Sequence, residues 1–398
     1  MANKTDFKTI ENGSIELEEM EEQIRKHRRK TFGRAIRIVI VLALLVVGVQ
    51  LWSALRSYSD YEVINIAERK DSGIASYETF LGRRVEYSND GIVFYGNDDE
   101  LIWNQSFEMN SPALDISESY LAIYDEGGTN IYIMTESGLS KKIETSMPID
   151  RVQIANQGTV AVLMKEDNVS YVRLYDRKGK ELANGEFFQE KGAFPVDIAF
   201  SGDAQKLAVC MVDINEGAVS SVISFYNFGS VGQNEIDNNV GSYTYDGVFI
   251  PEIDYVSEDR MVAFTSEGVL VFEGSQKPSL KRSVEYGVEV QSVFHNNKYV
   301  GITYANADTE GSWHIKVYDM NGSVVMENDT SVPYSRIEFL NNNEICVRDE
   351  YQCELFTIHS IRKFAYTFDK PLYKILSEAG NQNYTFVLEG ETDEVRLR

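Results

Sequence analysis

Cysteine, proline and histidine are scarce: the 398 residues hold three, seven and four of them. Three thiols cannot build a disulfide scaffold, and seven prolines leave no proline-rich linker between domains. Four histidines, with His27 far from the others in sequence, are poor material for an imidazole-based metal centre. Basic side chains are also in the minority, 38 against 62 acidic, for a formal net charge of -24. Nucleic-acid binding needs a basic surface that displaces counterions, so this balance argues against it. Catalytic signatures are missing too: G-x-S-x-G, H-E-x-x-H, G-x-x-x-x-G-K-[ST] and G-x-G-x-x-G do not occur. What is plentiful is apolar material, 43% hydrophobic with 23 tyrosines and 20 phenylalanines, so the chain has ample means to bury a core.

One stretch departs from this composition. Residues 38–55, IVIVLALLVVGVQLWSAL, carry no charge, and at about 1.5 Å per helical residue they span roughly 27 Å, the thickness of a bilayer's hydrocarbon. They predict one transmembrane helix, with 35–56 as the anchor. A cleaved signal peptide has an apolar region of only about 7 to 15 residues, ending at small residues. Here the run is longer, and Trp52 stands at its distal edge where an interface anchor belongs. Arg28, Arg29, Lys30, Arg34 and Arg37 precede the run, which puts the N-terminus in the cytoplasm and everything after residue 56 outside. The tail, residues 1–34, contains SIELEEMEEQIRKHRRK at 14–30, with Glu21 and Arg25, and Glu22 and Lys26, spaced to pair along a helix. It suits a docking helix, a lipid-attracted basic cluster or, as favoured here, a short solvated helix. Residues 57–82 read as a juxtamembrane linker with a closing strand, and 83–398 as the extracytoplasmic domain.

That domain reads as all-β. Apolar or alternating runs of five to eight residues recur between Gly, Asn and Asp. Strands that open a unit start at 113, 151, 196, 252, 290, 335 and 373, separated by 38, 45, 56, 38, 45 and 38 residues. With about four strands per unit, this is the period of a β-propeller blade. Two units share text as well: RLYDRKGKEL at 173–182 and KVYDMNGSVV at 316–325. In each, Asp176 or Asp319 can start a hairpin turn by bonding its own backbone, and Gly179 or Gly322 can adopt the positive φ that closes it. Asp203, in AFSGDAQKLAVCMV at 199–212, marks the turn between a blade's first and second strands. The blade count is seven or eight. Eight is favoured, because YEVINI at 61–66 can serve as the last strand of the final blade and leave no open edge.

The basic tail, the single anchor, IWNQSF at 102–107, AFSGDAQKLAV at 199–209, SFYNF at 224–228 and KVYDMNG at 316–322 together resemble a bacterial family of single-pass membrane proteins known only as domain of unknown function 5711. More distantly, the repeats are similar to quinoprotein-like and WD40-like propellers. The resemblance covers nearly the whole chain. It implies the propeller fold and a bacterial, Gram-positive origin, and it implies no activity.

Chemistry has to be sought residue by residue. Outside the tail only His295, His314 and His359 exist, on different predicted strands. The acidic turns at 88–91 and 96–100 gather oxygen ligands but lack the twelve-residue calcium-loop pattern. No metal site, no catalytic residue and no cofactor is expected. If residues 348–351 form the loop of a hairpin, Cys346 and Cys353 face each other and a cross-strand disulfide is within reach; a pair of half-buried thiols is the equal alternative. The longest unit, with 56 residues from 196, has extra length rich in Gly, Asn and Tyr. Such loops build binding surfaces, so Tyr226, Phe228, Tyr243 and Tyr245 are the candidate partner-binding rim.

The reading is a membrane-anchored extracytoplasmic propeller that serves as a non-catalytic binding or assembly scaffold at the bacterial envelope. Alternatives are a polysaccharide hydrolase or lyase using channel carboxylates, and a ligand-sensing single-pass protein. Residues 1–55 hold nine basic and seven acidic side chains, and the remainder 29 and 55. The anchor therefore separates a slightly basic tail from a strongly acidic outer domain. An envelope or secreted protein with a basic patch, or a neutral glycan, is the partner this charge suits, and nucleic acid is not.

Overall fold

A computed structural model of the chain describes residues 55–398 except 70–74, 97–98, 189–192, 216–217 and 308, and, before residue 55, only residues 22, 25, 27, 32, 36–42 and 48. Two compact units result, Met1–Arg56 and Ser57–Arg398. In the first, the described residues 22 to 48 are helical, and Ile38, Val39, Ile40, Val41 and Leu42 are exposed. Among the described residues no helix is long and apolar enough to cross a membrane. Most of the predicted span at 35–56, with Trp52, and of the predicted helical tail, with Arg28, Arg29, Lys30 and Arg34, lies outside the described residues; Arg37 is among those described.

Ser57–Arg398 is an eight-bladed propeller. Its strands, β1 to β32 in chain order, pair into eight antiparallel four-stranded sheets. The inner strands are β2 (Ser76–Phe80), β6 (Pro112–Ile116), β10 (Ile149–Ile154), β14 (Ala193–Phe200), β18 (Glu252–Ser257), β22 (Ser292–His295), β26 (Arg336–Phe339) and β30 (Leu372–Ser377). They open blades 1 to 8 in that order, and all seven unit starts predicted from the period fall on or within two residues of β6 to β30. Ring closure also follows the eight-blade reading. β1 (Tyr61–Glu68) is the outer strand of blade 8 and pairs with β32 (Glu391–Leu397) from Tyr61–Leu397 to Glu68–Glu391. Asp60 adds an ion pair to Arg398 at 2.9 Å. Joining the first and last strands of the ring in one sheet closes it, and each of the eight sheets has four strands. Residues 57–82 thus carry more than a linker, since β2 in that stretch is the inner strand of blade 1, and the ring begins well before residue 83.

Blades pack face to face through apolar side chains. Middle strands have both faces covered and read as continuous apolar runs, as in LAIYD of β7 (Leu121–Asp125), buried throughout. Outer strands alternate instead; β13 (Glu181–Phe188) shows exposed and half-buried residues in turn. Between blades 1 and 2, Phe80, Phe94, Leu121 and Met134 are fully buried, each contributing about 1.5–3 kcal/mol relative to exposure.

The turn chemistry behaves as its residues dictate. Asp176 Oδ1 accepts the amides of Lys178 and Lys180 at 2.8 and 2.9 Å, and Gly179 takes φ 79°. Asp319 and Gly322 repeat this, with amides of Asn321 and Ser323 at 2.9 and 2.8 Å and φ 78°. Asp203 turns β14 into β15 (Lys206–Asn215), accepting from the Gln205 amide at 3.0 Å and from Lys206 Nζ at 3.1 Å.

The cysteine hairpin differs from its prediction. β27 (Ile345–Arg348) and β28 (Gln352–Phe356) pair Cys346 with Leu355 and Arg348 with Cys353, two residues out of the disulfide register. Asp349 is the cause: its Oδ1 accepts the amides of Tyr351 and Gln352 at 2.7 and 2.6 Å and its own amide donates to Gln352 O at 3.0 Å, so the turn centres between Glu350 and Tyr351, one residue later than in the predicted loop. Cys346 and Cys353 become diagonal neighbours, which stand about 7–8 Å apart, beyond disulfide reach. Both are buried free thiols, and burial pushes the Cys346 thiol up to about 12. Cys210 is core, with its thiol donating to Ile250 O at 3.3 Å.

Candidate functional site

The inner strands meet around the hub, and their polar residues link one blade to the next. In six of them one polar side chain sits between apolar neighbours: Asp115, Gln153, Asp197, Asp254, Glu338 and Lys374. Strand alternation aims such a position to the face opposite its neighbours, where an adjacent blade lies. Three of these side chains tie consecutive blades through backbone amides. Asp115 accepts from Ile154 N at 2.6 Å, Gln153 from Phe200 N at 2.7 Å and Asp197 from Ile253 N at 2.8 Å. These bonds satisfy inner-strand amides of the following blade and step from blade 2 to blade 5.

Ionisation at this side of the hub is strongly perturbed. Burial raises the Asp115 carboxyl to about 7, against the Ile154 amide that favours its anion, and the charge of Asp254 raises it further. Asp197, fully buried, is raised to about 6 by the same loss of solvent, partly offset by Arg151 Nε at 3.0 Å. Asp254 is raised by burial as well. His295 stands 3.4 Å from Glu252 and 3.8 Å from Asp254. Burial opposes its cation, yet the hydrogen bond to Glu252 and the charge of Asp254 hold its pKa above the ordinary value, while the same bond lowers Glu252. Blades 2 and 4 therefore carry two carboxyls, Asp115 and Asp197, raised toward neutral pH.

The opposite side of the hub is built from ion pairs. Lys374, 4% exposed, lies between Glu78 at 3.0 Å and Glu338 at 2.7 Å. Burial works against its charge, and the two carboxylates more than restore it. Arg348 and Arg336 extend the group, 3.7 Å from Glu338 and 3.9 Å from Glu78. None of these residues was singled out from the sequence. The signal was legible nonetheless: a polar residue flanked by apolar ones recurs in the same strand of successive units.

The four rim aromatics do not form one surface. β16 (Ala218–Asn227) and β17 (Asn239–Asp246) pair Ile223 with Tyr243 and Ser221 with Tyr245. Paired residues share a face, and Tyr226, an odd number of positions from Ile223, lies on the other. Tyr243 and Tyr245 accordingly pack toward blade 5 beside Phe272, with Tyr243 OH donating to Pro278 O at 3.1 Å. Tyr226 and Phe228 turn toward blade 3, where they join Phe187 and Leu174. There they line a groove of about 360 Å³ between blades 3 and 4, with Asp237 and Asn238 of the insert at its margin. The extra length of this unit lies in ten-residue β15 and β16 and in two short 3-10 turns, Gly232–Asn234 and Ile236–Asn238. Among the described residues no group of three His, Cys, Asp or Glu side chains is placed to hold a metal ion.

Residues 54–397 match the model of a family of unknown function, DUF5711. The chain belongs to that family. Of the curated proteins, none matches this DUF5711 chain. Solved structures similar to it include the Neurospora crassa Pan2 WD40 domain, with TM-score 0.47, 8% identity, and 86% of this chain and 97% of that chain covered. A eukaryotic initiation factor gives TM-score 0.49 and 14% identity over 83% of both chains. Apo AztD from Citrobacter koseri gives TM-score 0.48 and 13% identity, covering 75% and 87%.

Proposed function

We propose that this DUF5711 protein is a membrane-anchored, extracytoplasmic binding or assembly module of the bacterial envelope and that it is not an enzyme. The observation that carries the reading is the groove between blades 3 and 4. It is lined by Tyr226, Phe228 and Phe187, and the residues that lengthen blade 4 sit at its edge. Aromatic side chains on a rigid sheet give large contact area at little entropic cost, which suits recognition of a protein or a neutral glycan. Hub carboxylates support the same reading, because Asp115 and Asp197 are engaged by backbone amides of the next blade. The anchor rests on the uncharged run at 38–55 and on the basic residues before it.

Crosslinking in native membranes tests the proposal. Partners recovered with the wild-type chain should be lost with the Tyr226→Ala, Phe228→Ala double variant, and equal recovery would count against it. One observation favours a second reading, as a polysaccharide hydrolase or lyase: a carboxyl with pKa about 7 at Asp115 suits acid–base work. Wall-polymer cleavage that disappears in Asp115→Asn would establish that reading instead.

A further inference from the structure

A second cavity, also of about 360 Å³, opens where blades 7, 8 and 1 meet, at the start of their inner strands. Its lining combines both signs of charge, Arg336 and Arg348 with Glu78, Asp349 and Glu350, beside Tyr77 and Tyr373. The two tyrosines stack with centroids 5.8 Å apart and planes 9° from parallel. Arg348 is 8% exposed, and its Nε has no hydrogen-bond partner, standing 3.7 Å from a Glu338 oxygen that also has none. Its Nη1 donates only a long bond to Leu372 O at 3.4 Å. A buried guanidinium with donor capacity left over is unusual and marks a place where an acceptor would be welcome. Arg336, 55% exposed, is loosely held at 3.9 Å from Glu78. The turn that carries Asp349 and Glu350 is pinned by the Asp349 side chain on the Tyr351 and Gln352 amides, so the acidic lip is preorganised.

Charge at long range narrows the ligand class. Residues 56–398 hold 55 acidic and 29 basic side chains, so a small net anion is repelled from the ring as a whole. A molecule of zero net charge with a carboxylate and an ammonium is not repelled, and it matches a lining that offers guanidinium on one side and carboxylate on the other. We propose that this cavity binds a small zwitterion of amino-acid to dipeptide size, its carboxylate on Arg336 and Arg348 and its ammonium on Glu350. The inference is independent of the groove between blades 3 and 4.

Calorimetric titration of the full-length chain with L-alanine, diglycine, propionate and ethylamine provides the test. At least one of the two zwitterions should bind about tenfold or more tighter than propionate and ethylamine, the loss expected when either charge-assisted contact is missing. Comparison of L-alanine with diglycine separates a free amino acid from a peptide. Arg336→Gln and Glu350→Gln, both at exposed positions that the fold tolerates, should each weaken binding about tenfold without changing Tm. Absence of zwitterion binding, propionate or ethylamine binding as tightly, or unchanged affinity in either variant would overturn the proposal.

Discussion

The two sides of the hub use polar residues at or beside the inner strands for opposite chemistry. Across blades 2 to 5, Asp115, Gln153 and Asp197 meet backbone amides, and the one strong cation among them is Arg151 on Asp197. Around blades 7, 8 and 1, Lys374, Arg336 and Arg348 face Glu78 and Glu338. An amide dipole stabilises a buried anion less than a full opposite charge does, so the Asp115 and Asp197 carboxyls are pushed up toward the neutral form, while two carboxylates hold the Lys374 cation above its ordinary pKa. Where a carboxylate stands in the ring matters less than what faces it.

The largest effect on this contrast comes from breaking the side built on ion pairs. Lys374→Ala leaves Glu78 and Glu338 facing each other near the hub without their shared cation. A loss of about 3–5 kcal/mol is expected from denaturant midpoints, and a loss under about 1 kcal/mol would show that the pairs are solvent-screened. Asp197→Ala on the other side orphans the Ile253 amide and releases Arg151, with about 1–3 kcal/mol expected by the same measurement.

The proton-holding side should also respond to pH. Asp115 and Asp197 have folded pKa values of about 7 and about 6, above their ordinary carboxyl range. The folded state therefore binds more protons than the unfolded state between about pH 4 and pH 7, and stability must fall as pH rises through that window. A decline on the order of 4 kcal/mol between pH 5 and 7.5 is expected at constant ionic strength, the larger share from Asp115. Asp115→Asn keeps an acceptor for Ile154 N and should flatten the curve. An unchanged slope in that variant would remove Asp115 from the account.

Much of this architecture can be read from spacing. Unit starts near 113, 151 and 196 and the closing strand at 61–66 follow from period and edge logic, because every blade repeats the same four-strand problem. The turns at Asp176, Asp203 and Asp319 follow from local backbone chemistry. Legibility fails where two elements must be placed against each other. Tyr226 and Tyr243 occur in one insert, yet strand register puts them on opposite faces of blade 4, toward different neighbours. The ties of Asp115 and Asp197 likewise depend on which amide of the next blade comes alongside, a relation across 39 and 56 residues of chain.

A smaller effect tests the repeated turns, which stand apart from the hub. Gly322→Ala must hold φ 78° with a Cβ 2.7 Å from Val284 Cγ2. About 1–2 kcal/mol of destabilisation is expected from thermal unfolding, with the pH slope left as in the wild type.

The smallest expected effect, none at all, bears on the ion-paired side most directly. Arg348 pairs with Cys353, and Glu338 with Cys346, across the strands of blade 7. The register that keeps the two thiols diagonal is the one that puts Arg348 inside a strand, buried and facing Glu338. A disulfide would require Cys346 opposite Cys353, and Arg348 would then fall in the loop, away from Lys374 and its carboxylates. Mass measurement after alkylation without reduction should find both thiols modified once the chain is unfolded, and reductant should leave Tm unchanged. A bridged pair would shift the register by two and take with it Arg348, the ion-paired half of the hub and the cavity beside it.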